Sequence, residues 1–463
     1  MKENKQEKKK KKRKQTITYK MVNMASIANN SNNNNMEEDE DVKVWDIPRS
    51  QEVRIELADQ KTCTLKLNQG NIELFGIELG TDAEYTLEGP CSVALFSWYG
   101  ARLTVKGDVE MAYLSSYTAI DTPMHQYINT HDGLSYLRTN ARDSGTTGPR
   151  VMICGAADSG KSTLGRTLMA YSLRQGHTPV YVNLDVKETN YLSPCTISAA
   201  QVSFESMNVS LGMIPQYPLM YYFGHTEISE NPHHYNALIE ALSKQVKERL
   251  NTDEKAKEGG IILTTGAWMD KKGYENTKRV AKLYDIDLII VLGDDRLFAQ
   301  LQNEKELKDL TVIKLKKSGG AFGRSVSYRR AERKLAMNSY FYGRKEVDKN
   351  MDFSPSLQTI SFDDIKLYQI GSTTLNAELL PVGQQSMLDP CQPEAVAITK
   401  DLIHSVFGIL SAKSEDEILK SCCIGFCCVQ AIDVDKRTLT LLAPNSTKAP
   451  SPYMLTGSFK WIE

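Results

Sequence analysis

The chain has 463 residues, 41% of them hydrophobic and 24% charged, which is ordinary for a globular protein of two to four domains. Its 56 lysines and arginines balance 57 aspartates and glutamates, so a nucleic-acid contact must come from a local basic patch and not from net charge. The sequence lacks an apolar run of the roughly 18 residues that a transmembrane helix needs, and we expect a soluble intracellular protein with no membrane partner.

The first 41 residues are built from biased blocks. A basic run extends from Lys8 to Lys14, and it is followed by an asparagine tract and then by acidic residues. Such a segment cannot bury enough apolar area to offset its ordering entropy, so residues 1–41 are predicted to be a disordered tail. The basic block is a nuclear import signal, a solvated tail, or a product of an early start codon, since Met21 and Met24 are alternative starts.

Residues 42–120 contain short segments in which apolar and polar residues alternate, such as VRIEL, CTLKL, SVALFSW and ARLTVKG. Glycines and acidic residues separate these segments. The pattern is typical of a small β-sandwich or barrel, and it predicts an N-terminal β-rich domain.

A phosphate-binding pattern follows at one third of the chain. Gly155, Gly160, Lys161 and Ser162 fit the pattern G-x-x-x-x-G-K-[ST], with an apolar run before them and a helical pattern after them. In such a loop successive backbone N–H groups surround a diphosphate, the lysine reaches the outer phosphates, and the hydroxyl binds Mg²⁺. The sequence therefore predicts a nucleotide site on a strand, a loop and a helix.

Residues 121–343 alternate apolar strands with helical patterns. This alternation predicts an α/β fold, in which a P-loop domain has a largely parallel sheet with helices on both faces. Residues 352–463 return to mixed strands with one helix, predicted over residues 395–410, and we assign them to a C-terminal α+β domain.

Four cysteines between Cys422 and Cys428 suggest a metal site at first sight. If this segment is a hairpin strand, however, the thiols of Cys423 and Cys427 on one face are about 13 Å apart at ~3.3 Å per residue. Zinc bonds of about 2.3 Å cannot span that separation. We therefore predict buried strand thiols.

Charged and aromatic residues follow the later strands. Asp185 lies at the carboxyl edge of the predicted sheet, where it positions Mg²⁺, accepts a proton from an attacking hydroxyl, or only caps a loop. Trp268 follows another strand at the same edge and either stacks on a base or is simply packed.

Basic residues lie around a glycine-rich turn and on the helix after it. Arg329, Arg330, Arg333 and Lys334 share one helical face, and Arg324 precedes them. Such a segment can close over a P-loop site and supply positive charge to a transferring phosphate. The alternative is a solvated basic face that binds nothing.

Several motifs occur in a specific order after the β-rich domain: GAADSGKST, LDV, GAWMDKKGY, KSGG with RS and YRR behind it, and YFYG. Together they resemble the polynucleotide 5′-hydroxyl kinase family, and within it the ATP-binding subunits of the messenger-RNA cleavage and polyadenylation factor. The resemblance covers about residues 42–463, including NIELFGIEL near the start and YMLTGSFKWIE at the end.

The resemblance implies ATP and Mg²⁺ as ligands. It implies that the loop holds the ATP phosphates through Asp158, Ser159, Gly160, Lys161, Ser162 and Thr163. It further implies roles for single residues, namely Ser162 and Asp185 at the magnesium, Asp185 as the base, Arg324 and Arg329 in a lid, Trp268 against RNA, and Glu52 at the nucleotide.

Two departures from the family pattern stand out. A lysine that the family has in the β-rich domain is replaced by Ser92. Kinase-active relatives have the sequence D-V-G-Q at the position where this chain has Asp185, Val186, Lys187 and Glu188. We expect Lys187 to crowd the acceptor path and Glu188 to add negative charge where phosphates approach.

Two functions therefore stay open. The chain is either an ATP-bound subunit with little or no turnover that organises nuclear pre-mRNA 3′-end cleavage on a larger scaffold subunit, or a kinase that phosphorylates an RNA or DNA 5′-hydroxyl. A GTPase is disfavoured, because the guanine-reading [NT]-K-x-D motif is missing after the later strands.

Overall fold

A computed structural model describes residues 41–118, 120–188, 193–268, 270–371 and 389–463. The tail predicted for residues 1–41 lies outside these ranges, apart from its last residue. The α-helices of the described residues are α1 (Met124–Ser144), α2 (Lys161–Arg174), α3 (Pro232–Thr252), α4 (Glu254–Gly259), α5 (Lys271–Leu283), α6 (Asp295–Gln302) and α7 (Val326–Tyr342). Short 3₁₀ helices cover Phe204–Ser206, Ile228–Glu230, Lys305–Leu307, Phe362–Asp364, Lys400–Leu402 and Glu415–Lys420.

The N-terminal strands form two sheets that face each other. Their bounds are β1 (Val42–Ile47), β2 (Gln51–Leu57), β3 (Thr62–Gly70), β4 (Glu73–Leu74), β5 (Ile77–Glu78), β6 (Glu84–Glu88), β7 (Cys91–Ser97), β8 (Ala101–Gly107) and β9 (Met111–Leu114). The sheet orders are β1-β8-β3-β6 and β5-β4-β7-β2-β9. Alternate apolar residues such as Val53, Ile55 and Leu65 are fully buried between the sheets, which confirms the predicted β-sandwich.

The central strands form one seven-stranded sheet and a small ribbon. Their bounds are β10 (Arg150–Cys154), β11 (Val180–Asn183), β12 (Thr196–Gln201), β13 (Met207–Asn208), β14 (Gly212–Met213), β15 (Leu219–Tyr222), β16 (Ile261–Thr264), β17 (Leu288–Leu292) and β18 (Thr311–Leu315). The sheet order is β15-β12-β11-β16-β10-β17-β18. The strands from β11 to β18 in this order pair in parallel, and β12 is antiparallel to its neighbours.

Helices cover both faces of this sheet. Leu238 and Leu242 of α3 pack with Val280 of α5 on one face, and Leu164 and Leu168 of α2 pack with α1 on the other. Strands buried on both faces have nearly continuous apolar runs, which is why the parallel strands were predictable. The predicted α/β class with a largely parallel central sheet is confirmed.

The C-terminal strands form a second seven-stranded sheet. Their bounds are β19 (Ser356–Ser361), β20 (Lys366–Ile370), β21 (Pro393–Ala395), β22 (Val406–Leu410), β23 (Cys423–Asp433), β24 (Thr438–Ala443) and β25 (Tyr453–Leu455). The order is β19-β24-β23-β22-β25-β20-β21, with β20 and β25 parallel and the other pairs antiparallel. Met337 and Phe341 of α7 pack on one face of this sheet.

The helix predicted over residues 395–410 is wrong. This segment contains the end of β21, a 3₁₀ turn and β22, and β22 pairs with β23 on one side and β25 on the other. A short apolar run that is buried on both faces gives the same sequence signal in a strand and in a helix. The prediction of buried strand thiols is confirmed for Cys423, Cys427 and Cys428, which lie buried on β23, whereas Cys422 precedes the strand and is only partly buried.

Parallel strands bring their carboxyl ends to one edge of the central sheet. The P-loop follows β10, Asp185 follows β11, Trp268 follows β16, and the loop to Arg324 follows β18. Among the residues described, every helix is too short or too polar to cross a bilayer.

Candidate nucleotide-binding site

The P-loop makes a tight turn between β10 and α2. Gly155 has φ 148°, and a Cβ there would lie 2.9 Å from the carbonyl oxygen of Leu292. Asp158 has φ 55°, a left-handed conformation that aspartate tolerates better than most residues, and Gly160 at φ 92° caps the N-terminus of α2. The turn therefore leaves the first N–H groups of α2 directed toward an anion site.

Two side chains show that this turn is shaped for a ligand. The ammonium of Lys161 donates to the carbonyl oxygen of Ala156 at 3.0 Å and so lies across the loop. The hydroxyl of Ser159 is buried and has no hydrogen-bond partner in the described part of the chain. A buried polar group without a partner is costly, and a phosphate oxygen in the loop would satisfy it.

The lid that follows β18 is tied to the loop by Asp158. The Arg329 guanidinium donates through Nη2 to both carboxylate oxygens of Asp158 at 2.7 Å, and the backbone N–H of Arg324 donates to Oδ2 at 3.0 Å. The Arg324 side chain pairs with Glu332 at 3.2 Å. Both predicted lid arginines therefore lie at the P-loop, in a closed arrangement.

A cluster of oxygen atoms lies at the other side of the loop. The Ser162 hydroxyl donates to the carboxylate of Glu188, and the Asp185 carboxylate accepts from the backbone N–H of Lys187 at 3.1 Å. Burial, followed by the nearby charge of Asp185, raises the pKa of Glu188. A hydroxyl and two carboxylates are the ligand type that Mg²⁺ prefers, so these residues fit a magnesium ion.

The β-sandwich supplies a wall of the same cavity. The cavity is lined by P-loop residues, by Phe75 and Ser92, and by Arg54, whose Nε donates to Glu52 at 2.8 Å. Burial disfavours the charged form of Arg54, but Glu52 and hydrogen bonds to Tyr113 and Tyr117 together raise its pKa. A Cβ on Gly320 would lie 2.9 Å from Arg54 Nε, which explains why the lid loop carries glycine there.

Trp268 lies in a separate cavity beyond the P-loop. This cavity is lined by Gly155, Lys271, Tyr274 and Arg296 as well as Trp268. The indole is half-buried and packs edge-on against Tyr235 at a ring-centroid distance of 6.5 Å. The indole face and the cations of Lys271 and Arg296 suit a nucleic-acid chain that passes the outer phosphates of a nucleotide in the P-loop.

The structure brings together most of the residues named from the sequence. P-loop residues and Arg324 line one cavity, Arg329 binds Asp158 beside it, and Asp185 lies near Glu188, the partner of Ser162. Glu52 reaches the cavity through Arg54, and Trp268 lies across the loop. Sequence reasoning missed Arg54, although the alternation in QEVRIEL places Glu52 and Arg54 on one strand face. The expectation that Lys187 crowds the acceptor path gains no support from its geometry, because its ammonium is held by Glu227 at 2.6 Å.

Comparison with known protein families matches three consecutive models. Residues 46–141 match the N-terminal beta-sandwich domain of polyadenylation factor, residues 155–343 match the mRNA cleavage and polyadenylation factor CLP1 P-loop, and residues 353–463 match pre-mRNA cleavage complex II protein Clp1.

Whole-length relatives agree with these models. The chain is 34% identical over 414 residues to Protein CLP1 homolog of Aedes aegypti, covering 89% of this chain and 95% of the relative. It is 31% identical over 420 residues to polyribonucleotide 5′-hydroxyl-kinase Clp1 of Rattus norvegicus, covering 90% and 96%. The solved structure of a wild-type Clp1p–Pcf11p complex has the same fold, with a TM-score of 0.78 at 24% identity over 92% of this chain and 99% of that one.

Proposed function

The chain belongs to the Clp1 family of mRNA cleavage and polyadenylation factors, and from this premise we propose that it is the ATP-binding subunit of the nuclear pre-mRNA 3′-end cleavage and polyadenylation machinery. In this role the chain holds ATP with little or no turnover and supports assembly of the cleavage complex. The nucleotide then serves as a structural ligand that fixes the lid and the β-sandwich against the P-loop.

The observation that carries this proposal is the enclosure of the phosphate site. Asp158 binds both Arg329 and the backbone of Arg324, so the lid lies closed on the loop, while Arg54 closes the cavity from the β-sandwich side. Contacts from the loop, the lid and the β-sandwich enclose the site, and an enclosed site favours long retention of a nucleotide. Long retention is what an assembly subunit needs.

Each group in the site has a chemical task toward Mg·ATP. Lys161 and the N–H groups of the loop neutralise the phosphate charge, and Ser159 donates to a phosphate oxygen. Ser162 and Asp185 would hold a magnesium ion, which would supply positive charge to the phosphates. The half-buried pocket around Arg54 and Phe75 receives the nucleoside.

We also propose a scaffold subunit of the cleavage factor as the partner of this chain, RNA as a further ligand and the nucleus as its location, without a membrane partner. Support comes from the solved relatives, one of which is Clp1p in complex with Pcf11p, and from the names of the matched families. Trp268 with Lys271 and Arg296 offers the surface for RNA.

Depletion and restoration of 3′-end cleavage test this function. Extract depleted of the chain should lose endonucleolytic cleavage of a polyadenylation-site RNA, and purified chain carrying ATP should restore it. A Lys161→Ala chain should restore less. Full cleavage in depleted extract would contradict the proposal.

A second candidate is an active polynucleotide 5′-hydroxyl kinase. It is favoured by the position of Lys161, Asp185 and the lid arginines around the P-loop, and by mammalian relatives that carry the kinase name. In that reaction Asp185 would accept the proton of the 5′-hydroxyl and Arg324 would stabilise the transferring phosphate. The carboxylate of Glu188 beside Ser162 weighs against it, because it adds negative charge to the reaction path.

A further inference from the structure

A short turn after β11 aims one unusual carboxylate at the P-loop. The backbone N–H of Glu188 donates to the carbonyl oxygen of Asp185 at 3.1 Å, and the N–H of Lys187 donates to the Asp185 carboxylate at 3.1 Å. These two bonds fix the path of the chain, so that the Glu188 side chain meets the first turn of α2 and accepts a hydrogen bond from the Ser162 hydroxyl. The ammonium of Lys187 is engaged by Glu227 instead.

This contact sets the Ser162 hydroxyl and one carboxylate oxygen of Glu188 side by side. Hydroxyl and carboxylate oxygen atoms are both ligands that Mg²⁺ accepts. An ion that binds the Ser162 hydroxyl therefore finds the Glu188 oxygen within reach, without a large movement of the backbone.

We propose that Glu188 is a direct ligand of the Mg²⁺ ion that accompanies ATP, beside Ser162, and that it makes the bound nucleotide long-lived. This inference rests on the proposed ATP-binding function. An anionic ligand adds attraction for the cation, so Mg·ATP is held more tightly. The same ligand shares the charge of the ion, which leaves less positive charge for the transferring phosphate and slows turnover.

A binding measurement that needs no turnover tests this ligand. The affinity for ATP is measured in MgCl₂ and again in EDTA, and the ratio of the two affinities reports how much the ion contributes. Glu188→Gln keeps the size of the side chain and removes its charge. We expect the ratio to fall at least about tenfold, which is the lower range for loss of a group that supports a metal site.

A matched variant separates coordination from general charge. Glu227→Gln also removes one negative charge close to the turn, but Glu227 binds Lys187 and lies outside the oxygen cluster. It should keep the ratio of the parent within about twofold. Thermal unfolding of each variant without nucleotide shows whether it is folded, and Glu188→Ala provides a second neutral replacement.

The outcomes differ for the two proposals. A parent chain that binds ATP neither with MgCl₂ nor with EDTA would contradict the ATP-binding function itself. A parent that binds Mg·ATP, with an unchanged ratio in folded Glu188→Gln and Glu188→Ala, would overturn only the role of Glu188. The role of Glu188 would also be overturned if Glu188→Gln bound ATP more tightly than the parent by the same factor in EDTA and in MgCl₂. Glu188 would then only repel the phosphates.

Discussion

Arg329 of the lid helix binds Asp158 of the P-loop through one nitrogen atom, which lies 2.7 Å from each carboxylate oxygen. The two residues are separated by 171 positions in the sequence. Their contact is half-buried, and Asp158 itself has a left-handed backbone that the loop imposes. The phosphate loop and the lid therefore share one carboxylate, and the state of the lid depends on it.

Loss of this contact should speed the release of nucleotide. In Arg329→Ala the lid loses its side-chain bond to the loop, and we expect ATP to dissociate about tenfold faster, as a loss of ~1.4 kcal/mol from the bound state would produce. Stopped-flow chase of a fluorescent ATP analogue measures this rate. Arg330→Ala removes an exposed neighbouring charge and is the matched control. Equal rates of ATP release in Arg329→Ala and Arg330→Ala would show that the contact between Arg329 and Asp158 does not control how long ATP stays bound.

Lys161→Ala should abolish stable nucleotide binding. The ammonium that lies across the loop is lost, and with it the point charge on the outer phosphates. Chain purified from cells is denatured, and the released nucleotide is quantified by chromatography. The parent should release ATP and the variant almost none. Equal ATP content in both proteins would show that the loop does not hold the nucleotide through Lys161.

Much of this site could be predicted because it depends on local patterns. The P-loop, Asp185 and the helix with Arg329 each follow a periodic strand or precede a periodic helix, so their placement at one sheet edge follows from parallel pairing. The contacts of Glu188 with Ser162 and of Asp158 with Arg329 join residues that are distant in the chain, and they depend on side-chain directions that no local period encodes. Strand β12, between β15 and β11, is hard to predict from the sequence because small and polar residues weaken its apolar pattern.

The contact between the β-sandwich and α2 should make stability depend on pH. Glu73 is buried there and accepts a hydrogen bond from Tyr171, and burial raises its pKa to about 7. The pKa of this carboxyl in the unfolded chain is 4.5. The stability that the protonated Glu73 contributes is therefore complete below pH 4.5 and is lost as the pH rises through about 7. The full difference is at most about 3 kcal/mol.

Glu73→Gln should remove this dependence. The amide cannot ionise. The apparent melting temperature of Glu73→Gln at pH 8 should therefore exceed that of the parent by a few degrees at most, and its melting temperature should change less between pH 5 and pH 8. Glu78→Gln alters the exposed partner of Arg174 in the same hairpin and removes only a minor cause of the raised pKa of Glu73, so it should keep most of the slope of the parent. Parallel profiles for the parent and Glu73→Gln would mean that this carboxyl does not titrate as described.

Restoring the family sequence after Asp185 should raise any kinase activity. The double change Lys187→Gly, Glu188→Gln removes one charge of each sign, so the long-range field hardly changes, and a gain would come from the loss of the Glu188 charge beside Ser162. Initial rates of oligonucleotide phosphorylation are compared at saturating Mg·ATP. If neither protein phosphorylates RNA, the block lies elsewhere, and the lysine replaced by Ser92 is the next position to change.

Asp185→Asn in that restored background should separate binding from transfer. The amide keeps the shape of the side chain but cannot accept a proton, so transfer should fall by about 10²-fold while ATP binding is largely retained. Arg324→Ala should also lower transfer more than binding, because its charge is needed chiefly in the transition state. Unchanged transfer rates in both variants would remove these residues from the mechanism.

The retention of intact nucleotide is the central claim, and one experiment measures it directly. Chain loaded with γ-labelled ATP and Mg²⁺ is freed of unbound nucleotide, incubated with a 5′-hydroxyl RNA, and sampled over time for protein-bound ATP, free phosphate and labelled RNA. We predict that about one ATP per chain stays bound and intact while the RNA remains unlabelled. Rapid appearance of label on the RNA over many turnovers would contradict this account and establish the chain as a kinase.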